Sequence, residues 1–217
     1  MVNALQSHPQ FKVYGELFRG GADESVKTAV RKSASDYLDK NIFNNYPSAI
    51  KAVGFKIFYQ HPVWDQSGSV WRYLQEVEDL RVIHLRRRNL LKAFVSWKIA
   101  QKTDVWKQAN DSSVELDKRV VISPEECVAF FEKTLEQEKI ADERFSGKPL
   151  LQTTYETLTS QFNEQMDLIQ KFLNVDSLPL SMKTVKQNPE SLSDLILNYD
   201  ELRSHAFSGT RWEAYLA

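Results

Sequence analysis

The stretch VIHLRRRNLLKAFVS, Val82 to Ser96, packs a strand, a cationic turn and a helix into 15 residues. Val82-Ile83-His84-Leu85 is a run of branched and apolar side chains of strand length. Beyond Asn89, the residues Leu91, Val95 and Ile99 recur at the spacing of one helix face. Between the two stand Arg86, Arg87 and Arg88. Adjacent cations repel, so a fold gains nothing by lining them up at the end of a buried strand. The cluster implies an anion there.

Working outward, the same alternation of strand and helix repeats. Met1 to Ser7 reads as the end of a helix, stopped at His8-Pro9 because the residue before proline avoids helical angles. Phe11 to Tyr14 is a short strand and Glu24 to Leu38 a helix. VGFKIFY, Val53 to Tyr59, is the clearest strand, and a helix at Val70 to Val77 turns Trp71 and Leu74 inward. Leu80 to Leu85 is the next strand and Asn89 to Lys102 the next helix. Ser123-Pro124-Glu125-Glu126 opens another, with a serine cap and Glu126 placed for a capping box, and it runs to about Ile140. A strand ends near Tyr155, a long helix covers Glu156 to Leu173, and short helices lie at Leu192 to Leu197 and Asp200 to His205. The polar insert from Lys102 to Arg119 reads as a loop. This order predicts a single α/β domain over residues 1–217, with a mostly parallel central sheet flanked by helices.

Composition bounds the function. Hydrophobic residues make up 42% and charged residues 26% of 217, enough to bury a core. The net charge of −1 gives no general attraction to nucleic acid or anionic membrane, so the arginine cluster is a local feature. A single cysteine, Cys127, excludes an internal disulfide and fits a reducing, cytoplasmic compartment. No apolar run approaches the roughly 20 residues that span a bilayer, and no basic-then-apolar leader opens the sequence. His8, His61, His84 and His205 have no metal-ligand spacing with Cys127, so no metal is expected.

In open α/β sheets, ligands bind beyond the carboxyl ends of the strands. Glu16 follows the first strand, His61 the second and the arginine cluster the third. A helix N-terminus with Arg88 beside it suits phosphate or sulfate, and Ser96 can donate from one face of the same helix. The competing reading makes the arginines solvated and Ser96 a small packing residue. His84, inside an apolar strand, reads as a packed core histidine. Trp64, Trp71 and Trp106 could stack on a sugar, although packing is the ordinary use of each.

RNLLKAFVS resembles the 3′-phosphate-binding segment of the sulfotransferases that use 3′-phosphoadenosine 5′-phosphosulfate (PAPS). In that family an arginine, usually followed by asparagine or aspartate, precedes a serine by eight residues; Arg88, Asn89 and Ser96 match. SHPQFKVYGELF resembles the segment after the 5′-phosphosulfate loop in bacterial and carbohydrate sulfotransferases, where a strand leads to a glutamate. TTYETL resembles the family's Tyr-Glu-Asp-Leu segment, whose tyrosine lies against the adenine, and Tyr155 matches it. ILNYDELRSHAFSGTRWEAYL resembles the terminal segment of many bacterial members. The resemblance spans nearly the whole chain.

That resemblance implies a fold like the P-loop nucleotide hydrolases, with PAPS as co-substrate and a carbohydrate or small-molecule hydroxyl as acceptor. It implies Glu16 as the base, with His61 as the rival by loose similarity of FKIFYQHP to cytosolic aryl and steroid members. There a histidine follows a strand-end lysine; here five residues separate Lys56 and His61 instead of two. It assigns Arg88 and Ser96 to the 3′-phosphate and Tyr155 to the adenine. The family's first strand and its Pro-Arg-Ser-Gly-Thr-Thr-like 5′-phosphosulfate turn are not found, so the expected sheet lacks its first strand. The family's C-terminal Arg-Lys-Gly segment has no counterpart either. A non-catalytic remnant that binds nucleotide or a partner is therefore the alternative. A small-molecule kinase is disfavoured, since no GxxxxGK[ST] loop occurs.

Overall fold

The computed structural model describes residues 1–106, 117–181 and 188–217. Its elements are α1 (Val2–Leu5), β1 (Phe11–Glu16), α2 (Glu24–Lys32), α3 (Ala34–Asn41), β2 (Ala52–Lys56), α4 (Ser69–Glu76), β3 (Val82–Arg86), α5 (Leu90–Thr103), α6 (Pro124–Arg144), β4 (Leu150–Thr154), α7 (Tyr155–Ser160), α8 (Phe162–Phe172), α9 (Leu192–Leu195) and α10 (Tyr199–Glu201). Most of the expected Lys102–Arg119 insert lies outside the described residues. The chain is α/β, and it forms two compact units, residues 1–86 with 138–182, and residues 87–137 with 183–217.

Among the described residues, the four strands all belong to the first unit. They do not join into the one central sheet expected from the sequence. β1 pairs with β2 and β3 with β4, each pair parallel, giving two two-stranded sheets. Both sheets present alternate residues to the same two apolar clusters. Phe11, Val13 and Ala52 share one cluster with Ile83, Leu85 and Leu151. Tyr14, Val53 and Phe55 share the other with Val82. The period of two along each strand thus divides both sheets between the same pair of faces. α1, α7 and α8 contribute Leu5, Leu158 and Ile169 to the first cluster, and α2, α3 and α4 contribute Val30, Leu38 and Leu74 to the second.

Two expected helices are broken, both at hydroxyl side chains. Ser33 leaves the helical region at φ −162°, and its Oγ accepts from Asp36 N at 3.1 Å, so it ends α2 and caps α3. Farther on, Thr159 Oγ1 donates to the Tyr155 carbonyl and Ser160 Oγ to that of Thr157. Such bonds back to carbonyls weaken a helix, and Gln161 steps out of it before α8 begins.

The second unit is built on α5 and the front of α6. Asn89 caps α5 by accepting from Lys92 N at 2.9 Å. Its amide also donates to oxygens of Tyr215 and Ala217. Leu91, Val95 and Ile99 are buried as their spacing predicts, against Phe131, Leu202, Phe207 and Trp212. Ser123 caps α6 through Glu126 N, but its hydroxyl bonds Glu125, while Glu126 pairs with Lys98 at 2.5 Å. The expected capping box therefore does not close. Cys127 is buried in this core, and burial pushes its thiol up to about 12, far from a reactive thiolate.

Candidate active site

Glu16 and His61 come together at the carboxyl end of the β1–β2 sheet, through a residue that the fold positions between them. Tyr14 pairs with Phe55 and Glu16 with Lys56, so Gly15 is an extra residue, a bulge. Strand parity explains the consequence. In unbroken register Glu16 would lie opposite Ile57, on the other face from Lys56. The bulge moves it onto the face of Lys56, and Lys56 Nζ donates to Glu16 Oε1 at 2.8 Å. Lys56 Nζ also lies 4.2 Å from the centre of the Phe58 ring.

His61 follows in a tight turn, its N–H donating to the Phe58 carbonyl at 2.9 Å. Its ring meets the Phe58 ring edge-on at 5.1 Å. The residue is 9% exposed, and its Nδ1 is buried with no hydrogen bond among the described residues. Burial lowers the His61 pKa; the Glu16 carboxylate works to raise it and the Lys56 ammonium to lower it. The ring is neutral at pH 7. Phe58, 38% exposed, and Val63, 61% exposed, give the surrounding loop an apolar rim.

The other candidates belong to other elements. Tyr155 opens α7 directly after β4, half-buried in the first unit. Arg88 and Ser96 belong to the second unit. Arg88 is exposed just before the cap of α5, and Ser96 Oγ, two turns into that helix, accepts from Asn188 Nδ2 at 3.2 Å. Trp64 and Trp71 pack against the α2–α4 cluster, whereas Trp106 is 56% exposed. No group of three metal-ligating side chains forms among the described residues, and none of their helices is long and apolar enough to cross a membrane.

The arginine cluster divides. Arg86 finds its anion inside the protein: its Nη2 donates to Asp142 Oδ2, and its Nε lies 3.9 Å from Glu138 Oε2. The inference of an external anion therefore does not apply to Arg86. His84 is buried as expected, but in polar company. Its Nε2 lies 2.7 Å from the Tyr59 hydroxyl and its Nδ1 3.0 Å from Asp142 Oδ1. Burial first, and then Arg86, lower the His84 pKa against the pull of Asp142. Burial raises that of Glu138. Sequence reading missed Tyr59, Glu138 and Asp142, since 58 residues separate His84 from Asp142 and no short motif joins them.

No protein-family model matches this chain, and neither a curated protein nor a solved structure is significantly similar to it.

Proposed function

We propose that this chain is a sulfotransferase, moving a sulfonate group from PAPS to a hydroxyl of a carbohydrate or small molecule. The observation that carries the reading is the cluster of Glu16, Lys56 and His61 at the carboxyl ends of two parallel strands. In-line sulfonate transfer needs a base at the acceptor and positive charge at the departing phosphate. His61 supplies a neutral imidazole beside the Glu16–Lys56 pair, and Lys56 supplies the charge. The acceptor oxygen attacks sulfur, its proton passes to the base, and the S–O bond to the phosphate breaks, releasing adenosine 3′,5′-bisphosphate. Glu16 is the alternative base; its carboxylate accepts from Lys56, so it also orients the ammonium. Arg88, Ser96 and Tyr155 are assigned to the nucleotide on the sequence resemblance alone. Parallel strand pairs flanked by helices on both apolar clusters support an α/β nucleotide-binding fold.

Calorimetry with adenosine 3′,5′-bisphosphate, followed by sulfonate transfer from radiolabelled PAPS to a panel of sugars and small alcohols, tests the reading. Binding and transfer are expected, with turnover lowered roughly a hundredfold or more in His61→Ala. If Glu16→Gln loses turnover and His61→Ala keeps it, Glu16 is the base. Binding without transfer to any acceptor leaves the nucleotide-binding remnant, and absence of binding overturns both.

A further inference from the structure

We propose that Tyr59 is a positioning residue that, through His84 and Asp142, fixes His61 and Phe58 at the open end of β2. The role rests on the reading of His61 as a reacting group, but the fixing itself is a separate, measurable property.

Tyr59 is a central residue of the turn that His61 closes on the Phe58 carbonyl. Phe58 and His61 face each other, while the Tyr59 ring meets His84 edge-on at 5.7 Å. The hydrogen bonds give this contact a direction. His84 Nδ1 has two polar neighbours, Asp142 Oδ1 at 3.0 Å, which only accepts, and Arg86 Nη2 at 3.3 Å, which only donates; Arg86 is already bound to Asp142, so the shorter contact assigns the hydrogen of His84 to Nδ1. Nε2 is then the acceptor, and the Tyr59 hydroxyl donates to it at 2.7 Å. Asp142 is itself held, by Arg86 and by Gln152 Nε2 at 3.2 Å. The anchor of the loop is thus strand β3, strand β4 and helix α6 together. Burial, reinforced by the carboxylates of Glu138 and Asp142, raises the Tyr59 pKa and keeps the phenol a donor.

The far side of the loop is tied as well. Asp65 accepts from Val70 N at 3.0 Å, Ser69 Oγ at 3.1 Å and Ser67 Oγ at 2.6 Å, which fastens it to the start of α4. His61 stands between two fixed points. Side chains that react are held this way, by partners whose own rotamers are locked.

Tyr59→Phe in the full chain removes only the hydroxyl. Amide hydrogen exchange and an NMR titration of the His61 ring read the result. Exchange at the His61 amide, which donates to the Phe58 carbonyl, is expected to quicken roughly tenfold, the scale of one lost buried hydrogen bond. The His61 midpoint should move up as its burial loosens, while exchange at Ile83 and Leu85 in β3 stays unchanged. If Tyr59→Phe does not fold, Asp142→Asn replaces it; it keeps the shape, frees the His84 tautomer and should move His61 the same way. A folded variant with His61 exchange and midpoint as in the parent overturns the proposal. If His61 shifts but the parent transfers no sulfonate, the positioning stands and the proposed reaction falls.

Discussion

Replacing Asp142 with alanine removes one carboxylate on which three side chains converge: His84, Arg86 and Gln152. Their losses differ because their access to water differs. The His84 side chain is 7% exposed, so its Nδ1–H is left buried without an acceptor, at a cost of about 1–3 kcal/mol. Arg86 is 27% exposed and keeps Glu138 nearby, so its loss is about 1 kcal/mol. Gln152 is exposed and turns to water at little cost. Asp142→Ala should therefore destabilise the protein by about 2–4 kcal/mol. For a chain of this size that lowers the Tm by roughly 4–16 °C. Urea unfolding followed by circular dichroism gives the first figure and a thermal scan the second. The diagnostic step is to repeat the substitution in a His84→Phe background, where no buried N–H is left to orphan. There the cost should fall to about 1 kcal/mol. An equal cost in both backgrounds would mean that His84 draws nothing from Asp142, and a cost near zero in the parent would refute the accounting altogether.

Acid should weaken the fold through its histidines. His61 and His84 have folded pKa values below the ordinary 6.5, so they bind fewer protons folded than unfolded. Their contribution is complete above pH 6.5 and is lost as the pH falls through 6.5 toward the lowered values. Glu138 acts in the opposite sense, its contribution being lost as the pH rises through its raised value. The fall in urea-unfolding free energy between pH 7 and 5 should be smaller in His61→Asn than in the parent; an equal fall would show that His61 is not buried neutral. Arg88→Ala should weaken adenosine 3′,5′-bisphosphate at least about tenfold in calorimetry and leave adenosine 5′-monophosphate unchanged. Equal loss for both nucleotides would remove Arg88 from the 3′-phosphate. A designed β-branched strand and glycine turn fused ahead of Met1 should raise the Tm by about 5 °C or more if it pairs with the edge of β1 or β3, since each ladder hydrogen bond adds about 1 kcal/mol. A proline-substituted control with the same Tm would show that no strand is accepted.

Much of the fold was legible because local rules govern it. The branched and apolar runs at Phe11, Val53, Val82 and Leu150 became strands, the second ending at Lys56 rather than Tyr59, and the Leu91-Val95-Ile99 face became the buried side of α5. Errors arose where a side chain competed with the backbone, as at Ser33 and around Ser160, because apolar periodicity carries no record of hydroxyl hydrogen bonds. The single central sheet was also misjudged. Strand character is written in a few consecutive residues, whereas pairing depends on which strand edges meet.

By itself, the sequence determined that this is an α/β protein with parallel strands and that His61 lies beyond the second of them; Glu16, expected just past the first strand, is its last residue. Tertiary structure decided what those residues meet. The bulge at Gly15 set Glu16 against Lys56, and folding brought Asp142 and Glu138 from α6 onto His84 and Arg86, so that Arg86 is neutralised from within. The physical reason is range. Propensity, capping and periodicity act over a few residues and are visible as patterns, while the charge and burial of a side chain are fixed by groups tens of residues away, which only the packed chain brings within reach.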